Sequence, residues 1–256
     1  MRTFGSTLSG LIVPAALLVL WQLAGYEQML PEYLPPPVQI SRAFIEFAQS
    51  GELFRQSAVS LLRAAIGFLI GATAGVILGL IGGSVRPVRD LVEPIIIALN
   101  PVPKIAFLPI FIIAFGMGHG SKFAIIAIAT FFPAFVATLE GMASVPIRLI
   151  WAAKSMGAGS LRVLFQVCLP ASLPAVFSGL RIGVALSFIV LFAAELMGSN
   201  TGLGYVITTA EYGLRFDLVI VAIIVIGLLG FLSDRLLLYI RSLMLPGSVV
   251  KKGAER

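Results

Sequence analysis

Charged residues are scarce in this chain of 256 residues. Asp, Glu, Lys and Arg together make up 12% of it, whereas 59% is hydrophobic and the mean hydropathy is +1.03. An ordinary soluble domain carries about 25% charged residues. The composition therefore argues against a soluble domain and predicts a protein embedded in a membrane.

Cysteine and histidine are almost absent as well. The single Cys168 excludes an intrachain disulfide, and the lone His119 has no second Cys or His nearby with which to form a metal site. We interpret His119, which lies between two glycines, as a loop residue. The sequence also contains no P-loop and no His-Glu-x-x-His motif, so we expect no catalytic residue, no metal site and no ATP hydrolysis by this chain itself.

Long apolar stretches predict an all-α membrane protein that forms a single domain over residues 1–256, with its core at about 58–240. The first stretch follows Arg2 as in a signal peptide, but no small-x-small cleavage site follows it, so we interpret it as a retained helix. An amphipathic segment is expected at about 39–57, and a loop at 198–216. Six transmembrane helices are predicted, at about 8–25, 60–82, 91–115, 122–142, 170–197 and 217–240.

The distribution of basic residues predicts the orientation. If both termini are cytoplasmic, eleven basic residues lie inside and four lie outside, which satisfies the positive-inside rule. The net charge of +6 is then explained by membrane-flanking loops, and no nucleic-acid partner is expected. The inside set is Arg2, Arg86, Arg89, Arg148, Lys154, Arg162, Arg235, Arg241, Lys251, Lys252 and Arg256, and the outside set is Arg42, Arg55, Lys122 and Arg215.

Glycine recurs at every fourth position in the second predicted span. Such residues lie on one helix face and allow another backbone to approach closely, as transmembrane helices commonly do. We predict that this face packs against another helix, although a pore-lining track is the alternative. The row consists of Gly67, Gly71, Gly75, Gly79 and Gly83.

The third predicted span is interrupted by Asn100-Pro101-Val102-Pro103-Lys104. Two prolines remove backbone donors, and unwound backbone at membrane depth is tolerated only against protein or a water-filled cavity. A cation in a membrane span indicates function by default. Lys104 is therefore a candidate for the translocation path, together with Asn100, Pro101 and Pro103; the alternatives are snorkelling to the interface and pairing with Glu93.

Glu195 ends the fifth predicted span and precedes a run of Gly, Ser, Asn and Thr. Its carboxylate is a second candidate for the translocation path. It could pair with Lys104 or Arg181, or face the outer membrane interface.

A polar segment at about 143–169 separates two strongly apolar stretches and falls on the cytoplasmic side in the predicted orientation. It contains Ala152-Ala153, then Gly157, and nine residues later Val167 followed by Leu169-Pro170. This spacing resembles the cytoplasmic EAA loop of ATP-binding-cassette importer permeases, except that Trp151 stands where that family usually has Glu. The resemblance implies that the loop couples the chain to an ATPase through Ala152, Ala153, Lys154, Gly157, Ala158, Leu169 and Pro170.

Further segments resemble the nitrate, taurine and aliphatic-sulfonate branch of these permeases. They are Leu34-Pro35-Pro36-Pro37, the stretch Pro103-Lys104-Ile105-Ala106-Phe107-Leu108-Pro109, and Thr201-Gly202-Leu203-Gly204-Tyr205 after the acidic Glu195. The branch implies a small anionic solute such as a sulfonate, taurine or nitrate. Related permeases carry vitamin precursors and aromatic acids, and the sequence does not choose among these solutes.

The resemblance also implies a six-helix type I (MetI-like) fold in the bacterial inner membrane and a set of partners. These are a second permease copy or a paralogue, two ATP-binding subunits, a periplasmic or lipid-anchored solute-binding protein, and membrane lipid. ATP and Mg would be bound by the ATPase subunits, so no cofactor is expected on this chain. A secondary transporter or channel is the main rival class, but the chain shows no clear internal repeat and such a carrier has no use for the polar segment.

Overall fold

The computed structural model describes residues 3–27 and 29–245, without the side chains of residues 3–11 and Arg86. Of the predicted inside charges, Arg2, Lys251, Lys252 and Arg256 lie outside the described residues. The described part is all-helical. Its α-helices are α1 (Thr3–Tyr26), α2 (Pro37–Gln49), α3 (Glu52–Ser84), α4 (Arg86–Leu99), α5 (Leu108–Phe115), α6 (His119–Ala143), α7 (Ile147–Ser155), α8 (Ser160–Val163), α9 (Leu169–Gly198), α10 (Leu203–Tyr212) and α11 (Phe216–Met244).

The contacts divide the chain into two compact units. The first joins the chain up to Val59 with Thr201–Gly227, and the second joins Ser60–Asn200 with the chain from Leu228 onward. Helices α3 and α11 each contribute one end to the first unit and the rest to the second. The prediction of a single domain is not decided by this division.

Every predicted span falls on apolar helix, and four are single helices long enough to cross a membrane. These four lie at Glu52–Ser84, His119–Ala143, Ser160–Gly198 and Phe216–Met244. The third predicted span is a pair of apolar helices that bend by 90° at the predicted break. The first predicted span falls on a shorter apolar helix. The part of it that is described with side chains is Ile12–Tyr26.

The glycine row of α3 is a packing face in the second unit. A Cβ added to Gly67 would lie 2.6 Å from Cβ of Ile126, and one added to Gly83 would lie 2.5 Å from Cβ of Met142. Successive glycines of α3 meet successive residues of α6, so the two helices run parallel. Because only glycine allows this approach, the predicted packing face is confirmed and the pore-lining alternative is wrong.

Helix α9 packs antiparallel to α6 by a similar use of small residues. An added Cβ on Gly141 of α6 would lie 2.8 Å from Cβ of Ala175, and one on Gly179 of α9 would lie 2.5 Å from the carbonyl oxygen of Pro133. The chain directions therefore place the start of α6, the end of α9 and residues 60–63 of α3 together at one end of the unit. The polar segment 143–169 lies at the other end.

The polar segment is helical but not one continuous helix. Helix α7 ends in a tight turn at Met156–Gly159, after which α8 leads through a π-helical turn, Leu164–Cys168, into α9. Residues 152–165 do not form one helix, because Gly157 adopts a φ of +82° that cannot continue a right-handed helix. A small apolar cluster, formed by Met142, Val145, Ala153, Val163 and Cys168, holds the segment against the end of α6.

The first unit contains a helix where the sequence predicted a loop. Residues 203–212 form α10, and the backbone N–H of Gly202 just before it donates a 2.6 Å hydrogen bond to the buried Gln56 side chain. Glycine serves the turn here because φ of Gly202 is +103°. The amphipathic segment predicted at 39–57 is confirmed as α2, although it ends at Gln49, and Glu52 begins α3.

Candidate translocation site and coupling segment

The break in the third span borders a cavity of about 340 Å³ in the second unit. Its walls are almost entirely apolar and come from the break itself, from α6 and from α9. The lining residues are Asn100, Val102, Pro103, Lys104, Ile105, Ala129, Phe132, Pro133, Leu186, Ile189, Val190 and Ala193. Three of the predicted path residues, Asn100, Pro103 and Lys104, thus share one cavity, whereas Pro101 and Glu195 are not part of its lining.

Among the described residues that line this cavity, Lys104 alone carries a charge. Its ammonium donates to the backbone carbonyls of Leu99 and Asn100 at the end of α4, the first at 3.2 Å, and lies 4.3 Å from the centre of the Phe132 ring. The carbonyls at a helix C-terminus lack partners within the helix, so a cation is well placed there. An ammonium has three N–H donors, and two of them serve these carbonyls.

The structure does not support the alternative pairing of Lys104 with Glu93. The Glu93 carboxylate instead accepts a 2.8 Å hydrogen bond from Arg89, one helical turn earlier in α4. Lys104 therefore makes its described polar contacts to backbone carbonyls only.

Glu195 is buried at the end of the unit opposite the polar segment. It receives a 2.7 Å hydrogen bond from Nη1 of Arg63, and the hydroxyl of Ser60 donates to both carboxylate oxygens at 3.0 and 2.8 Å. The predicted pairing of Glu195 with Lys104 or Arg181 is wrong. Arg181 instead binds Asp234 through two hydrogen bonds, of 2.7 and 3.1 Å.

Arg63 of α3 links the start of α6 to the end of α9, and it was not among the residues predicted for the site. Besides Glu195, it donates to the hydroxyl of Ser199 at 3.0 Å and, through Nε, to Nδ1 of His119 at 3.3 Å. His119 thus begins α6 and accepts a hydrogen bond, so its interpretation as a loop residue is wrong. The signal was present in the sequence: Arg63 is a cation inside a predicted span, and Glu195 is a carboxylate inside another.

Lys122 is also buried rather than exposed in an outer loop. Its ammonium donates to the carbonyls of Met117, at 2.6 Å, and Gly198. Its predicted place on the outer side of the membrane stays a prediction.

The alanines of the predicted coupling loop divide between two faces of α7. Ala153 is buried in the apolar cluster, whereas Ala152 and Lys154 are exposed. Gly157 and Ala158 close the helix with two hydrogen bonds, from Gly157 N–H to Lys154 and from Ala158 N–H to Ala153, at 2.9 and 3.0 Å. This pair of bonds is a Schellman motif, whose αL position favours glycine.

Leu169 and Pro170 begin α9 directly after the π-helical turn. Because the backbone is helical without a break from Ser160 into α9, Pro170 removes one hydrogen-bond donor from the turn that follows the π-helical turn. Side chains with large exposed apolar surface surround this segment: Trp151, Met156, Leu161 and Phe165 are each more than half exposed. Apolar exposure of this kind on a polar segment is typical of a surface that a protein partner covers.

Comparison with known proteins agrees with this arrangement. Residues 58–245 match the family described as binding-protein-dependent transport system inner membrane component. The chain belongs to this family. The permease is therefore the multi-pass inner-membrane subunit of an ATP-binding-cassette importer, and a transport subunit rather than an enzyme.

Relatives of this permease match over most of its length. It is 35% identical over 228 residues to the putative aliphatic sulfonates transport permease protein SsuC of Bacillus subtilis (strain 168), covering 89% of this chain and 83% of that protein. It is also 35% identical over 233 residues to the taurine transport system permease protein TauC of Escherichia coli (strain K12), covering 89% and 85%. The predicted recognition of this branch is confirmed.

A solved structure establishes the fold. A chain of the inward-facing MetNI methionine ABC transporter matches with a TM-score of 0.60 and 18% identity, over 75% of this permease and 98% of that chain. The predicted type I importer fold is thus confirmed. A self-sufficient secondary transporter or channel is not favoured.

Proposed function

We propose that this permease carries a small anionic solute of the sulfonate, taurine or nitrate class into the cytoplasm, past Lys104. The single observation that carries the proposal is the cavity at the broken span, where one ammonium stands among apolar walls. An anion entering the cavity meets the third N–H of Lys104, which serves neither of the two backbone carbonyls. The names of the SsuC and TauC relatives support the same solute class.

The wall chemistry favours an organic anion within that class. Phe132, Leu186 and Val190 can cover an alkyl or aryl body but offer no hydrogen bonds to the remaining oxygens of a compact ion. A sulfonate with a carbon chain therefore fits better than nitrate. The same argument admits an aromatic acid as a second candidate, because the Phe132 ring lies against the cationic head.

The energy for transport comes from partners, in our proposal. Two ATP-binding subunits hold ATP and Mg and dock on the segment 143–169, and a periplasmic or lipid-anchored binding protein delivers the solute at the opposite end. A second copy of this chain completes the pathway. Both termini are cytoplasmic, as the charge bias supports.

In the proposed mechanism, the ATPase subunits act at one end of the second unit, residues 143–169, and the solute arrives at the other end. ATP closes the paired ATPase subunits, and α7 moves with the subunit that covers it. Because Ala153 is packed with Met142 at the end of α6, movement of α7 is passed to α6 and so to the wall of the cavity. The switch between inward- and outward-facing states requires only a few kcal/mol of differential binding.

Reconstitution tests this function directly. The permease is purified with its ATPase subunits and placed in proteoliposomes with its binding protein and ATP. Uptake of labelled ethanesulfonate, taurine and nitrate is then measured. We expect ATP-dependent uptake of ethanesulfonate or taurine, and uptake of none of the three would contradict the proposed solute class.

A further inference from the structure

Lys122 has no part in the proposed pathway, yet it is completely buried in a membrane span. Its hydrogen bonds go to two backbone carbonyls, those of Met117 and Gly198, and no carboxylate is among its partners. A buried cation without a carboxylate partner is costly in a membrane protein and marks function by default. Capping the carbonyl of Gly198 explains its position but does not require a full charge.

The neighbouring titratable groups do not cancel this charge. Arg63 and Glu195 neutralise each other across 2.7 Å. His119 accepts a hydrogen bond at Nδ1 from Arg63, which leaves that nitrogen unprotonated and is consistent with a neutral imidazole. Among the described contacts, two cations thus face one carboxylate, which gives this group of residues one net positive charge.

This charge lies close to the cavity along two helices. On α6, Lys122 is seven residues before Ala129 of the lining, or about 10 Å at 1.5 Å per residue. On α9, Gly198 is five residues after Ala193 of the lining, or about 7.5 Å. Because low-dielectric surroundings screen charge weakly, the field of Lys122 reaches the cavity.

We propose that Lys122 is a specificity-determining residue. Its charge, at the end of the unit opposite residues 143–169, favours anionic solutes in the cavity. It acts at a distance and does not touch the solute. This inference rests on the proposed function for the choice of solute, but its test does not, because local potential is measurable without transport.

The test measures that potential with charged thiol reagents. Ala193→Cys places a thiol in the cavity wall, and Cys168→Ser removes the native thiol. The rates of reaction with an anionic sulfonatoethyl and a cationic trimethylammonioethyl methanethiosulfonate are compared in the assembled transporter. A unit charge about 10 Å away at an effective dielectric of about 20 changes each rate on the order of tenfold, in opposite directions for the two reagents, and so changes their ratio on the order of a hundredfold.

Three variants separate charge from hydrogen bonding. Lys122→Gln keeps N–H donors for the two carbonyls and loses the charge, Lys122→Met loses both, and Lys122→Arg keeps both. We expect the anion-to-cation rate ratio to fall on the order of a hundredfold in Lys122→Gln and Lys122→Met and to stay near wild type in Lys122→Arg. If Lys122→Met does not fold, Lys122→Gln still carries the comparison.

An unchanged rate ratio in Lys122→Gln would overturn the proposal and leave Lys122 as a cap of α9. Absence of reaction with either reagent in the Ala193→Cys background would also overturn it, because no solute could then sense the charge there. The proposed function fails separately, if the reconstituted wild-type transporter carries none of the three solutes.

Discussion

Arg63 of α3 donates from Nη1 to Oε1 of Glu195 on α9 across 2.7 Å, and 2% or less of either side chain is exposed. The two residues lie 132 positions apart in sequence. A buried ion pair is neutral as a unit, but each partner alone is a charge without compensation in a medium that solvates it poorly. The pair therefore holds α3 against the end of α9. Each of the two charges needs the other, because neither is otherwise compensated by water.

Removing one partner of this pair should destabilise the permease more than removing both. We expect Arg63→Met or Glu195→Leu alone to cost about 3–5 kcal/mol, and the double variant to recover a large part of that loss. The measurement is the midpoint of thermal unfolding in detergent, arranged as a double-mutant cycle. Additive losses in the double variant would show that the two charges are not coupled.

A methyl group at Gly71 should separate α3 from α6. The added Cβ would meet the backbone carbonyl of Ala127, which cannot move aside as a side chain end can. We expect Gly71→Ala to cost about 1–3 kcal/mol by overpacking. Gly227→Ala in α11 is the matched control, because its added Cβ would have no described atom within 4 Å. Equal thermal stability of the two variants would contradict the packing role of the glycine row.

Removing the ammonium at the cavity should impair transport without impairing assembly. Lys104→Ala is expected to lower the uptake rate of ethanesulfonate, measured with saturating loaded binding protein, by about tenfold or more, since a charge-assisted contact is lost. Size-exclusion chromatography checks assembly. Adding Glu93→Ala should restore nothing, because Glu93 is engaged with Arg89. Recovery of full uptake in the double variant would instead indicate a structural Lys104–Glu93 pair.

Local sequence patterns predicted much of this structure. Apolar stretches of sufficient length located the spans, the spacing of glycines predicted the packing face of α3, and Asn100–Lys104 predicted the break. Each of these depends on residues within a few turns of one another. Hydropathy and backbone chemistry depend on such short stretches, so the sequence alone was enough to predict these three features.

The contacts that polar side chains make between helices were harder to predict from the sequence. The partner of Glu195 depends on how α3 and α9 are rotated about their axes, which local patterns do not specify. His119 was assigned to a loop because α6 starts three residues before the predicted span 122–142. Residues 203–212 of the predicted loop form α10, and the turn before that helix is held by Gln56, far away in sequence, which accepts a hydrogen bond from the N–H of Gly202.

The two ends of the second unit should face opposite sides of the membrane. Ser160 and Asn200 are both exposed, and the native Cys168 is buried, so it gives little background labelling. A membrane-impermeant maleimide added to intact spheroplasts should label Asn200→Cys and leave Ser160→Cys unlabelled until the membrane is opened. The reversed pattern would contradict both the orientation and the docking of the ATPase on residues 143–169.

Gly157 should be needed both for the turn after α7 and for the approach of the ATPase. Its φ of +82° costs a residue with a Cβ about 1–2 kcal/mol, and asparagine tolerates this region best. None of the described residues lies within 4 Å of an added Cβ, so the space beside Gly157 is open to a partner. We therefore expect Gly157→Asn to fold normally but to hydrolyse ATP with reduced transport per ATP.

Gly159→Asn is the matched control for this substitution. Gly159 lies two residues further on, with equally open surroundings but an ordinary φ of −70°. We expect Gly159→Asn to transport more solute per ATP than Gly157→Asn, because Gly157 is the glycine that directly follows the exposed face of α7.

Gly157→Val tests the turn alone and should lower thermal stability. Normal coupling in Gly157→Asn, together with unstable Gly157→Val, would assign Gly157 to the turn only. A Gly157→Asp permease that still binds its ATPase and transports at the wild-type rate would remove the main argument for docking on this segment.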